Sequence, residues 1–183
     1  FSIFSINYYK LFFNVTTRDV ISRILMAINP ANYNFISDVE PPDLYGPIWI
    51  SATSPFLMLV FGNLTAWADK GNKWQFNFYN FFISFVLTFS FVFGAPFAYT
   101  FFTKILNPPS TIQIICLLGY SMIFMIPTGF FCMVVGLKAD YIMSIAGSVV
   151  MSWSIFYKLH KNSNSPGRSL VPNAVVSAVS GFL

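Results

Sequence analysis

Six carboxylates, ten lysines and arginines, one histidine and two cysteines are the reactive inventory of this 183-residue chain. His160 stands beside Lys158 and Lys161 with no carboxylate near it in sequence. That setting fits a solvated or headgroup-facing ring better than a general acid or base. No Cys/His cluster has metal-ligand spacing, no glycine-rich phosphate loop occurs, and no serine sits in a nucleophile elbow. We therefore expect neither enzyme activity, nor a cofactor, nor a metal. Ion coupling is equally unsupported. Transporters and pumps keep ionisable groups deep in their spans, whereas Asp69, Lys104, Lys138, Asp140 and Lys158 fall at the ends of apolar runs. Two polar side chains stand apart from this pattern. Asp43, in the turn Pro41-Pro42-Asp43-Leu44-Tyr45-Gly46-Pro47-Ile48-Trp49-Ile50, is placed to cap the helix that follows. Tyr120 lies inside an apolar run, where its hydroxyl needs a partner on another helix.

The elements that position these residues are set by hydrophobicity. The chain is 56% hydrophobic, 20% aromatic and 9% charged, with mean hydropathy +0.65. Soluble domains carry about 25% charged residues, so the class is all-α polytopic membrane protein. The net charge of +4 comes without a dense basic patch, which argues against nucleic acid as a partner and for topology and lipid headgroups. A span needs about 20 mostly apolar residues. Ile48–Ala68, Phe78–Phe102, Ile112–Val135 and Tyr141–Leu159 meet this, and a fifth run goes from Val171 to Leu183. The short polar breaks between runs make sequential neighbours antiparallel, in one bundle over 48–183 behind a pre-membrane segment over 1–47. With the N-terminus in the cytosol, that side holds Lys10, Arg18, Arg23, Lys104, Lys158, Lys161 and Arg168 against Lys70, Lys73 and Lys138 opposite. Seven against three favours this orientation and puts the C-terminus on the luminal side. The first residue is not methionine, so we expect the chain to be part of a longer protein.

In the pre-membrane segment, Thr16-Thr17-Arg18-Asp19 is a helix start, and Val20, Ile21, Ile24, Leu25 and Ile28 follow at helical spacing. This predicts an amphipathic helix on the membrane face or on the bundle. Gly94 and Pro96 interrupt the second span, Gly119, Pro127 and Gly129 the third, and Gly147-Ser148 the fourth. Small residues allow close helix approach, and each proline frees a carbonyl that a neighbour must satisfy. Tyr45 and Trp49 suit the headgroup belt, and Cys116 and Cys132 are buried apolar thiols too far apart to pair.

Asp43-Leu44-Tyr45-Gly46-Pro47 resembles the DLYGP signature of the Yip1 family of Golgi and ER membrane proteins. Leu118-Gly119-Tyr120-Ser121 is similar to that family's Gly-Tyr signature in the third span. Phe12-Phe13-Asn14-Val15-Thr16 upstream, Gly62-Asn63-Leu64 in the first span and Ala146-Gly147-Ser148-Val149 in the fourth also fit. The pattern is closest to the Golgi-enriched branch, although Asn14 stands where an acidic residue often follows the phenylalanine pair. The resemblance implies five spans, a cytosolic N-terminus and a place in ER–Golgi vesicle traffic. It also implies contact with prenylated Rab GTPases and complexes with sibling Yip1 and Yif1-type proteins. It brings no catalytic residue; Asp43, Leu44, Tyr45, Gly46, Pro47, Gly119 and Tyr120 are motif positions, structural or partner-binding. Two other roles compatible with kinked aromatic spans are lipid handling or membrane shaping, and an accessory structural subunit of a larger membrane complex.

Overall fold

The computed structural model describes residues 10–29, 35–103, 109–135 and 140–162. The described residues are helical throughout, joined by turns, with no strand among them. Four helical stretches are long and apolar enough to cross a membrane: Tyr45–Lys73, Tyr79–Phe101, Thr111–Val135 and Ile142–Leu159. They coincide with the first four expected spans to within a few residues. The fifth expected run lies outside the described residues.

Helix α1 (Thr17–Ile28) precedes the bundle, and a reciprocal box at its start explains where it begins. The Thr16 hydroxyl accepts from the Asp19 amide while the Asp19 carboxylate accepts from the Thr16 amide at 3.0 Å. Hydrogen bonds from Thr16 hold the Asp19 carboxyl below its ordinary value of 3.8. The inward face of α1 carries Arg23 and Ala27, with Val20 and Ile24 packed at the core. Ile21, Leu25 and Ile28 remain exposed. Only part of the expected apolar set thus meets the bundle, because a charged side chain occupies the middle of the buried stripe. The short helix α2 (Phe35–Asp38) then adds Phe35 and Ile36 to the core.

Helix α3 (Tyr45–Lys70) is the first span. The second comprises α4 (Tyr79–Phe89), a π turn (Ser90–Gly94) and α5 (Ala95–Thr103). The third comprises α6 (Thr111–Ser121), a 3-10 turn (Met122–Phe124) and α7 (Met125–Val135). Helix α8 (Asp140–Asn162) is the fourth. Both irregular turns have the same cause. A proline ring collides with the carbonyl four residues before it, and those carbonyls belong to Val92 for Pro96 and Ile123 for Pro127. Each lies in the segment that leaves regular α-geometry. Where the third span bends, the Ser54 hydroxyl of α3 is shared between the Ile50 carbonyl at 2.8 Å and the Met122 carbonyl at 3.3 Å. A neighbouring helix thus adds a donor at the bend, where the Met122 carbonyl also accepts from the Met125 amide.

Packing is uneven along the bundle. The buried residues gather at the end where α1 and α2 sit: Ile114 to Met122 of the third span, Met151, Ile155 and Leu159 of the fourth, and Phe91, Val92 and Tyr99 of the second. On the second span, Phe81, Phe85, Phe89 and Phe93 form a ladder of rings at four-residue spacing, with centroids 4.5 to 5.8 Å apart. The opposite end, around Lys70 to Tyr79, is mostly exposed.

Since the Thr16–Asp19 box fixes the first turn of α1, Thr16→Ala should cost about 1 kcal/mol of helix stability. Amide hydrogen exchange should then rise at residues 17–20 and stay unchanged in α6. The Asp19 part of the box is complete above pH 3.8 and is lost as pH falls through the lowered folded value.

Candidate functional site

The two sequence motifs meet in space. The turn before α3 brings Asp43 against the middle of α6, and the Asp43 side chain retains 1% of its exposure. Its carboxylate is surrounded by donors from three parts of the chain. The Gly46 amide donates to Oδ1 at 2.8 Å, which is the cap expected from the sequence. The Tyr120 hydroxyl donates to Oδ2 at 3.1 Å, and the Cys116 thiol lies 3.8 Å from the same oxygen. Arg23 of α1 closes the set with an ion pair to Oδ2, while its second guanidinium nitrogen donates to the Pro41 carbonyl at 2.9 Å. Burial alone would lower the Arg23 pKa, but the hydrogen bond and charge of Asp43 outweigh it and raise the pKa above its ordinary value.

The glycines of both motifs are explained by the same meeting. A methyl group at Gly46 would land in the Tyr120 ring, and one at Gly119 would land on Pro47. Gly46-Pro47 and Gly119-Tyr120 thus interlock: each glycine makes room for the bulky member of the other pair. Phe35 of α2 meets the Tyr120 ring edge-on at 6.0 Å between centroids. Leu44 packs at the rim of the core, and its amide donates to the Phe12 carbonyl at 3.0 Å. Tyr45 points outward, 41% exposed, beside Trp49.

A second buried cation lies nearby. Lys158 of α8 is fully buried, donates to the Ala27 carbonyl and to the Ser154 hydroxyl, and stands 5.7 Å from the Phe35 ring centroid. Ala27 is in the last turn of α1, so the ammonium sits where helix carbonyls concentrate negative potential. From the sequence, Lys158 was a span-end charge and Arg23 a topology charge. Neither reading anticipated a buried anchor for α1. The available signal was Arg23 falling between Val20 and Ala27 on one helical face, a stripe that packing must bury.

Chemically, this arrangement is a closed knot. Asp43, Gly46, Pro47, Gly119 and Tyr120 are buried, and the carboxylate lone pairs are taken by internal donors. Among the described residues, no three His, Cys, Asp or Glu side chains come together as metal ligands. Neither Cys116 nor Cys132 takes part in a disulfide.

An all-helical bundle with four membrane-crossing candidates, pinned at one end by a buried ion pair, defines an integral membrane protein. The Yip1 domain profile matches residues 24–161, and the chain belongs to the Yip1 domain family. It is 24% identical over 187 residues to the protein YIPF1 homolog of Dictyostelium discoideum, covering 98% of this chain and 53% of that protein. The chain therefore spans about half the length of the curated relative it matches. No solved structure matches it.

If the knot holds α1 and the first and third spans together, Arg23→Met leaves a buried carboxylate without its cation and should cost about 3–5 kcal/mol. Arg23→Met/Asp43→Leu should recover much of that loss, read as thermal melting of the detergent-solubilised chain. Gly46→Ala and Gly119→Ala should each cost about 1–3 kcal/mol through overpacking. Gly62→Ala is the control, because an added methyl there meets nothing within 4 Å.

Proposed function

We propose that this chain is the membrane-embedded part of an adaptor in vesicle traffic between ER and Golgi. In this reading it binds prenylated Rab GTPases and assembles with itself or with sibling Yip1 and Yif1-type proteins. The observation that carries the proposal is the Yip1 domain match over residues 24–161. The site supports it by what it lacks. Arg23 and Asp43 are spent on each other, and Lys158 on helix α1. No chain of ionisable groups runs through the described spans, as a proton or ion pathway would require. Such a bundle holds and presents surfaces.

The surfaces it offers are of two kinds. Ile21, Leu25 and Ile28 of α1, with Leu11 and Phe13 before it, form exposed apolar positions beside the knot. The second and fourth spans expose long aromatic and aliphatic faces that suit lipid or a sibling's helices. With the N-terminus in the cytosol, as the distribution of lysine and arginine favours, α1 and the turn at Asp43 lie on the side where Rab proteins work. Tyr45 and the exposed face of α1 would then be the reachable positions there. The motif residues Asp43, Leu44, Gly46, Pro47, Gly119 and Tyr120 act as anchors that set the pose of α1, not as contacts.

Full-length protein carrying an affinity tag, extracted in mild detergent and weighed by native mass spectrometry, tests this reading. The expected result is a discrete complex containing a second copy or a Yip1/Yif1-type protein, with prenylated Rab co-purifying. Recovery of a stable, different membrane complex with no Rab would sink the Rab assignment. Leu25→Glu on the exposed face of α1 should reduce Rab recovery while leaving the melting temperature unchanged.

A further inference from the structure

The loosely packed end of the bundle contains a cleft that the adaptor reading does not use. Its outer part, about 590 Å3, lies between the first and second spans and the turn that joins them. Lys70 and Lys73 are the charged residues of its lining, with Asn63, Gln75 and Asn80 as neutral polar neighbours. Asp69 is adjacent in sequence but outside the described lining. The Trp74 indole N–H, in the same wall, is buried and has no hydrogen-bond partner among the described residues. Asn63 and Asn77 tie the wall together, the Asn77 amide donating to the Asn63 side-chain oxygen at 3.2 Å.

Deeper in the bundle, Pro55, Met58, Gly62 and Ser84 are shared with a second cavity of about 340 Å3 that reaches all four spans. That inner part holds several hydroxyls, and four of them have their protons committed. Ser54 donates to Ile50, Thr65 to Phe61, Thr128 to Phe124 and Ser148 to Ser144, each to a carbonyl one turn back on its own helix. Ser84, Thr88 and Ser144 also line it, but residues such as Met58, Phe61, Leu87, Met125 and Met133 make most of the wall methyl, methylene, thioether and ring surface. The cleft is cationic and amide-lined at the membrane boundary and mostly apolar within. This polarity matches one amphiphile lying along it.

We propose that this cleft binds a single anionic phospholipid, its phosphate at Lys70 and Lys73 and an acyl chain passing Gly62 into the inner cavity. Glycine at position 62 keeps the passage open, since a side chain there would project into empty space. Selectivity for negative charge follows from two lysines with no carboxylate in the described lining. The occupant orders the end of the bundle that packs least well by itself.

Native mass spectrometry of the full chain, released from micelles containing equal phosphatidylglycerol and phosphatidylcholine, tests the site. The unaltered protein should retain one phosphatidylglycerol in preference to phosphatidylcholine. Lys70→Gln/Lys73→Gln should reduce that preference about ten-fold or more, the scale of two basic residues at a headgroup. Gly62→Leu should abolish the retained lipid of either kind while preserving the melting temperature of the lipid-free protein. Equal retention by all three proteins would identify ordinary boundary lipid and overturn the site. Stripping of the bound lipid by excess inorganic phosphate would assign the lysines to free phosphate and overturn it as a lipid site.

Discussion

A carboxylate with 1% of its surface exposed is stable only if its charge is met by donors on every side. Asp43 meets that demand with α1 through Arg23, its own turn through the Gly46 amide, and the third span through Tyr120 and Cys116. These three sources are separate elements, and only Tyr120 and Cys116 share one. The condition can be satisfied only when the pre-membrane helix, the entry to the first span and the middle of α6 are all in place. Helices in lipid gain little from hydrophobic burial against one another, so close packing and polar contacts must specify their arrangement. The knot is that specification. Gly46 and Gly119 supply the close approach, and Asp43 supplies the polar contact that a shifted register would break.

From this point the asymmetry of the bundle follows. Lys158 pins the end of α1 to the fourth span, and Phe35 fills the space between Lys158 and Tyr120. The residues with least exposure, from Ile114 to Met122, surround this region. Farther along, the prolines interrupt the regular geometry of the second and third spans, and a cavity there reaches all four spans. A single protein thus combines one rigid end, where a helix outside the spans is held in fixed pose, with one open end exposed to lipid.

Much of the scaffold was legible because a membrane imposes a length and a polarity. Four apolar runs of span length appear as four helices whose ends differ from expectation by a few residues, as at Tyr45 in place of Ile48. Asp43 as a cap was readable from its place three residues before Gly46, and Tyr120 declared a need for a partner without naming one. Arg23 and Lys158 were opaque for a physical reason. A cation near a span end satisfies the topology rule whether it faces water or a buried carboxylate, and only the three-dimensional meeting distinguishes them. Gly119 announced close packing but not against Pro47. The cleft could not be read at all, since its walls come from residues whose adjacency depends on how the helices pack.

The two ends place different demands on any partner. At the knot, Asp43, Gly46, Pro47, Gly119 and Tyr120 are sealed, so a protein binding there must read the pose of α1 and the exposed side chains of Ile21, Leu25 and Tyr45. Such recognition is sensitive to the knot without touching it: loosening Arg23 or Tyr120 frees α1 and dilutes the binding-competent pose, which weakens apparent affinity by the fraction lost. At the open end, any occupant that bridges the spans stabilises the arrangement in which it fits. The first and third spans run through both regions, and Ser54 joins them at the bend between. A bundle built this way holds α1 in a fixed pose at one end while the other end keeps a cavity that all four spans line.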